Sequence, residues 1–258
     1  MKKLLNDIWY LALRRIRPTF REPMAIIISM LQPIIWLLLF GNLFKGIVEV
    51  PGFSTDLYIE YLLPGIIVMN SLFIGIYTGM GTLNDINTGV MERFLVLPIN
   101  KIAIILSELV QVIILLLAQF ISIILLALIM GARFPFNFYS IVIFLAIPIL
   151  LGLAVSALSI SLALITRKHE SMIGAMQFFT LPLMFLSSAF MPRELMPSWI
   201  RVISTINPVD WAILGAREIL SSEISWMTVI ANGSLVFLFG GICVLISLRS
   251  FRVFQSSI

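Results

Sequence analysis

Charge is what this sequence has least of. Only 12% of its 258 residues are Asp, Glu, Lys or Arg, while 60% are hydrophobic and the mean hydropathy is +1.08. A water-facing surface on a chain of this size needs far more polar residues. That excludes a soluble globular protein and leaves a polytopic membrane protein. Cysteine is nearly absent: Cys243 is the single one, so no intramolecular disulfide can form. Histidine is equally scarce, with His169 alone in a short polar stretch between apolar runs. One imidazole without clustered partners does not make a metal site. It also leaves a Ser–His hydrolase without its base, and no G-x-S-x-G elbow is present. No closely spaced aspartates offer a Mg²⁺ site for prenyl or sugar-phosphate transfer. None of the five lysines follows a glycine, so the phosphate-cradling G-x-x-x-x-G-K-[ST] loop is missing. ATP hydrolysis, if it drives this protein, belongs to another chain.

What is present is a series of long apolar runs. Six are long enough to cross a bilayer core, which takes ~20 residues in a helix: 24–44, 61–83, 102–130, 138–166, 172–191 and 227–248. A β-barrel would instead show strands of ~10 residues alternating polar and apolar positions. Among the six, only the third holds a formal charge, Glu108. A lone carboxylate inside a membrane costs about 2.5–3.5 kcal/mol on insertion scales. Glu108 is therefore either a proton- or cation-handling group, or a group near the interface, hydrated or paired with Lys101 or Arg93. A channel is disfavoured, because ion pathways use rings of charge or filter carbonyls. No internal repeat supports an inverted-repeat carrier.

The basic residues set an orientation. Twelve of the seventeen Lys and Arg, among them Arg14, Arg15, Arg93, Lys101, Arg167 and Arg252, fall on one side of the six spans, and Lys45, Arg133, Arg193, Arg201 and Arg217 on the other. The positive-inside rule then predicts cytoplasmic termini. No cleavage site follows the charged N-terminus, so the first span is expected to double as the insertion signal. Residues 1–23 place Leu5, Trp9, Ala12 and Ile16 along one helical face. They read as an interfacial helix in the membrane plane or as a positive flank that orients the first span, two roles that are compatible. Pro18 and Pro23 are expected to punctuate its end.

Between the second and third spans lies the stretch Thr82–Lys101, which concentrates the charges Asp85, Glu92, Arg93 and Lys101 while Ile86, Val90, Phe94 and Leu97 recur at helical spacing. This predicts a short amphipathic helix on the cytoplasmic surface, its polar face open to a partner. Pro33, Pro64, Pro148 and Pro182 lie within spans and favour kinks, as hinges or as shaped packing. Ser71, Gly75 and Gly79 form a small-residue stripe, suited to a subunit interface or to packing within one chain. In the outer stretch 192–226, Trp199, Ile200, Ile203 and Ile206 form an apolar face after Pro197, and Pro208 and Trp211 follow. Such a segment sits at headgroup depth or dips back into the membrane. Phe40, Phe44, Met69, Phe73, Tyr77, Phe178, Phe179, Met184 and Phe185 are candidates for an adaptable apolar path, although lipid or helix contact is the plainer use of such residues.

Taken together, YLLPGIIVMN (61–70), MERFLVLPINK (91–101) and FMPRELMPSWIRVISTINPVDWAILGARE (190–218), in this order behind a basic amphipathic N-terminus, resemble the permease subunits of ABC-2 type exporters, in particular their daunorubicin-resistance-like branch. The resemblance covers nearly the whole chain. It implies an all-α, six-span permease with an N-terminal interfacial helix, a cytoplasmic coupling helix over 84–101 and short outer re-entrant helices. Its implied partners are a second permease, as a homodimer or close heterodimer, and a separate cytoplasmic ABC ATPase that carries ATP and Mg²⁺; membrane lipids and a hydrophobic substrate complete the set, and nucleic acid is not expected. No cofactor or catalytic residue is expected in this chain. Residues carried over to ATPase coupling are Asp85, Glu92, Arg93, Pro98 and Lys101, with Arg14 and Arg15 of the N-terminal helix. Those carried over to the outer segment are Pro197, Trp199, Asn207, Pro208 and Arg217. The implied activity is export of a drug-like or lipid-like substrate; export of a lipid-linked glycan or another cell-envelope polymer shares the layout, and an ion-coupled carrier and a non-transporting scaffold are the readings outside the family.

Overall fold

The computed structural model describes residues 2–21, 23–46, 57–96, 101–134, 137–221 and 223–256, and among them the regular structure is helical. Ten α-helices follow in order: α1 (Lys2–Arg21), α2 (Pro23–Leu43), α3 (Tyr58–Asn87), α4 (Val90–Val96), α5 (Lys101–Ile129), α6 (Phe138–Thr166), α7 (His169–Phe185), α8 (Ser198–Ser204), α9 (Pro208–Ile219) and α10 (Trp226–Ser256). Four of them are long and apolar enough to cross a membrane, within Tyr58–Asn87, Ile102–Ile129, Phe138–Thr166 and Trp226–Gln255. At 30 residues, α3 rises about 45 Å, well beyond a ~30 Å hydrocarbon core. The first and fifth expected spans correspond to α2 and α7, which are shorter. Pro18 does not stop α1, which runs on to Arg21, while Pro23 opens α2, a position where the missing N–H has no helical partner to lose.

The molecule is organised around α3. From Tyr58 to Leu72 almost every side chain is buried, on all faces, so this half of the helix is enclosed by its neighbours. Its apolar partners include Leu116 and Phe120 of α5, Phe144 and Leu151 of α6 and Ile213 of α9. The small-residue stripe faces α6. A Cβ on Gly75 would lie 2.9 Å from the Gly152 carbonyl oxygen, and one on Gly79 would run into Ser159 and Met172. Close approach is then fixed by a hydrogen bond between the helices, Ser159 Oγ donating to the Ile76 carbonyl at 2.7 Å. The stripe therefore serves packing within one chain. At mid-depth Asn70 Nδ2 donates to Gln119 Oε1 at 2.7 Å, and Gln119 Nε2 to Ser29 Oγ at 3.1 Å. These bonds tie α2, α3 and α5 where hydrocarbon offers polar groups no partner.

The fifth apolar run does not stay helical to residue 191. The helix α7 ends at Phe185, followed by a turn through Ser187 and Ser188, both buried. Hydropathy could not show this ending, because the backbone groups released there are satisfied by side chains from α9, some twenty residues on.

Candidate functional site

At the end of the molecule that carries α1, local backbone chemistry places the first cluster. Gly89, at φ +70°, ends α3 and starts α4, a left-handed turn that glycine makes without a Cβ penalty. The stretch expected to form one helix over 84–101 is thereby split: Asp85 sits in the last turn of α3, while Glu92 and Arg93 sit on α4. The helix α4 is anchored by fully buried Met91 and partly buried Phe94, packed with Ile104, Leu164 and Phe251. Its apolar face meets protein rather than lipid, and Glu92 and Arg93 are left exposed. Leu97 and Pro98 lie outside the described residues, as does the side chain of Lys101.

Arg15 of α1 joins this region to the spans. Its Nη2 donates to Asp85 Oδ2 at 2.5 Å and to Glu108 Oε1 at 2.7 Å. Thr82 Oγ1 donates to the other Glu108 oxygen at 2.7 Å. Arg14 lies 3.7 Å from Asp85 Oδ1, and its guanidinium covers the Phe94 ring at 4.8 Å. Gly81 keeps the approach open, since a Cβ there would sit 3.3 Å from Arg15 Nη1. Two guanidiniums thus meet two carboxylates, and the cluster is neutral as a whole, which is the condition for burying it. Glu108 is 1% exposed. Glu108 pairs with Arg15 rather than with Arg93, because α1 packs along α5; the expected Lys101 pairing falls on a side chain outside the described residues. Of the coupling residues read from sequence, Arg14, Arg15 and Asp85 come together with Glu108; Glu92 and Arg93 stand apart on the surface. Half of the apolar face of α1, Ala12 and Ile16, is buried against the protein, while Leu5 and Trp9 remain exposed.

A second polar cluster closes the opposite end. Asn207 caps α9, accepting from Val209 N at 3.0 Å, and Pro208 takes the first helical position. The same Asn207 side chain donates to the carbonyls of Leu183 and Leu186 at 2.7 and 2.8 Å, satisfying the end of α7. Arg217 donates to the Ser188 carbonyl at 2.9 Å and to the Tyr61 carbonyl at 3.2 Å, with its guanidinium 3.7 Å from the centre of the Tyr61 ring. Asp210, fully buried, accepts from Ser188 N and is ion-paired with Arg193. Sequence reasoning passed over Asp210; the available signal was an acid between Val209 and Trp211 in an otherwise apolar run. Pro197 caps α8, where Trp199, Val202 and Ile206 are exposed, an apolar surface suited to headgroup depth.

Between these ends a cleft of about 530 Å³ separates α7 from α2 and α3. Its wall includes Trp36, Phe73, Tyr77 and Phe185, with the amides of Gln32 and Gln177. Of the path residues expected from sequence, Phe73, Tyr77, Met184 and Phe185 line it. Phe40 and Phe44 instead stack on one another and reach Phe190 and Tyr58. Aromatic faces, methionines and a few amides can hold a flat apolar molecule while fixing its orientation.

Residues 6–221 match the ABC-2 type transporter family. The chain belongs to that family. It is similar to a putative transport permease of Porphyra purpurea, with 32% identity over 85% of this chain and 76% of the relative, and to one of Cyanophora paradoxa, with 30% identity over 86% and 77%. A daunorubicin resistance ABC transporter permease protein of Streptomyces coeruleorubidus is 30% identical over 77% of this chain and 69% of its own. As an ABC-2 permease, the protein is a multi-pass membrane subunit of an ABC transporter. The N-terminal helix from Asn6 onward, the charged cluster and the outer segment through Ile219 lie within the matched region.

Proposed function

We propose that this permease moves a hydrophobic or amphipathic, drug-like molecule out across the cytoplasmic membrane, energised by a separate ABC ATPase that binds ATP and Mg²⁺. The observation that carries this reading is the cleft between α2, α3 and α7, whose aromatic and methionine wall offers dispersion and stacking and whose two amides offer orientation. The relative named for daunorubicin resistance supports a drug-like substrate. Two such permeases, each with six spans once α2 and α7 are counted, pair as a homodimer or close heterodimer. Both termini face the cytoplasm, in keeping with the bias of basic residues. The exposed Glu92 and Arg93 of α4 contact the ATPase. Closure of the ATPases displaces α4, and the cluster of Arg14, Arg15, Asp85 and Glu108 transmits that displacement to α1, α3 and α5, opening the cleft toward the Asn207–Arg217 side.

The test is purification of the tagged chain from native membranes, with identification of co-eluting proteins and an ATPase assay on the eluate. A stoichiometric nucleotide-binding subunit whose hydrolysis responds to apolar aromatic compounds is the expected result. A chain that elutes alone, without ATPase activity, would overturn the coupling scheme.

A further inference from the structure

On the other flank of α7 lies a groove that the export scheme does not use. It has a volume of about 500 Å³ and runs along Leu151, Val155, Leu158 and Ile165 of α6, facing Phe179 of α7 and Phe239 of α10. From Leu151 to Ile165 the helix rises about 21 Å, more than the ~15 Å hydrocarbon depth of one leaflet. The polar side chains along it are already engaged: Ser159 Oγ donates to the Ile76 carbonyl, Thr180 Oγ1 to the Met176 carbonyl at 2.6 Å, and Ser161 shares a hydrogen bond with Ser250. What the groove offers an occupant is therefore hydrocarbon. Ile165 and Phe179, 66% and 63% exposed, form an open rim.

One mouth of the groove is cationic. Two residues past Ile165, Arg167 adopts the left-handed conformation at φ 53° that turns α6 into α7, and Lys168 beside it is exposed. The Arg167 guanidinium lies 4.8 Å from the centre of the Phe254 ring, so the end of α10 arrives at the same place, while Arg249 and Arg252 sit on the exposed helix face turned away from Phe254. Glu170, in the first turn of α7, is the one acidic side chain of that turn. In the turn itself Arg167 and Lys168 outnumber it two to one.

We infer that this groove holds an acyl chain of an anionic phospholipid, with the phosphate held by Arg167 and Lys168. An apolar channel opening on the bilayer fills from the bilayer, and a cationic collar at headgroup depth selects negatively charged lipids within it. The lipid is a structural partner that supports α7 between its two clefts, which share Ile76, Met176 and Thr180 as a common wall.

Native mass spectrometry of the purified permease, titrated with dioleoyl phosphatidylglycerol or with dioleoyl phosphatidylcholine, tests this. The wild type is expected to retain phosphatidylglycerol in preference. The variant K168Q, altered only at an exposed position, should lose about fivefold of that retention, the effect of removing one phosphate contact near the surface, while phosphatidylcholine is unaffected. Ala175→Trp, which fills the groove wall, should weaken both lipids. Equal retention of the two lipids by the wild type, or unchanged phosphatidylglycerol retention by K168Q, would overturn the assignment. So would stoichiometric displacement of phosphatidylglycerol by a transported compound, which would assign the groove to substrate. A third check is Phe179→Cys in a Cys243→Ala background: efficient disulfide formation between two copies would assign the groove to a permease interface, and its absence is expected.

Discussion

Arg15 is the cation that two acids share. Its guanidinium satisfies Asp85 and Glu108 together, so Arg15→Gln leaves two carboxylates sharing a poorly solvated site. Removing one partner of a buried pair costs about 3–5 kcal/mol, and a correspondingly large loss of thermal stability in detergent is expected. Glu108→Gln is milder, because Arg15 keeps Asp85 and the amide can still accept from Thr82; a loss of about 1–2 kcal/mol is expected, with export retained. Abolished export in a Glu108→Gln protein of unchanged stability would instead assign the carboxyl to proton handling. At the outer end, Asn207→Ala removes one acceptor and two donors at the junction of α7 and α9. The expected cost is about 2 kcal/mol, read as a lower melting temperature and faster proteolysis within residues 186–206.

Among the elements, the pair α3 and α6 is where geometry leaves least freedom. Gly79→Ala places a methyl group into Ser159 and Met172, and overpacking of this kind costs about 1–3 kcal/mol. Gly174→Ala, on α7, meets nothing within 4 Å and should be neutral or slightly stabilising through helix propensity. Measured side by side, the two variants separate a packing requirement from a general sensitivity of helical glycines; equal effects would count against the close contact. The helix α4, at seven residues, is too short to hold itself together in water. It persists because Met91 and Phe94 are anchored in the cluster with Ile104 and Phe251.

For the molecule as a whole, the arrangement of α4 separates coupling from folding. Because Glu92 and Arg93 are exposed and the residues beside them are anchored, the double reversal E92K/R93E is expected to change stability by less than about 0.5 kcal/mol while abolishing co-purification of the ATPase. Intact co-purification with this variant would remove both residues from the interface. Movement of α4 would reach the spans through protein contacts on two sides, the apolar cluster and the Arg14–Phe94 contact.

Much of this was legible in the residues themselves. Composition and apolar run length determined a multi-pass helical membrane protein, because hydrocarbon admits only helices and closed barrels, and the runs are too long and uniformly apolar for barrel strands. The long apolar helices α5 and α6 followed from the same rule, whereas Asn207 and Pro208 stood out only through the resemblance, and the cap they form on α9 belongs to the structure. The sequence could not say that α3 overruns its apolar segment to carry Asp85, that α7 stops at Phe185, or that Glu108 belongs to Arg15, 93 positions away. Nor could it choose between the two uses of the Ser71–Gly79 stripe or find the partner of Asp210. Those outcomes depend on which helix lies beside which, and burial of a charge or a glycine is decided by the neighbour that meets it. Periodicity reports only the face that a helix presents. Tertiary packing alone supplies what that face touches.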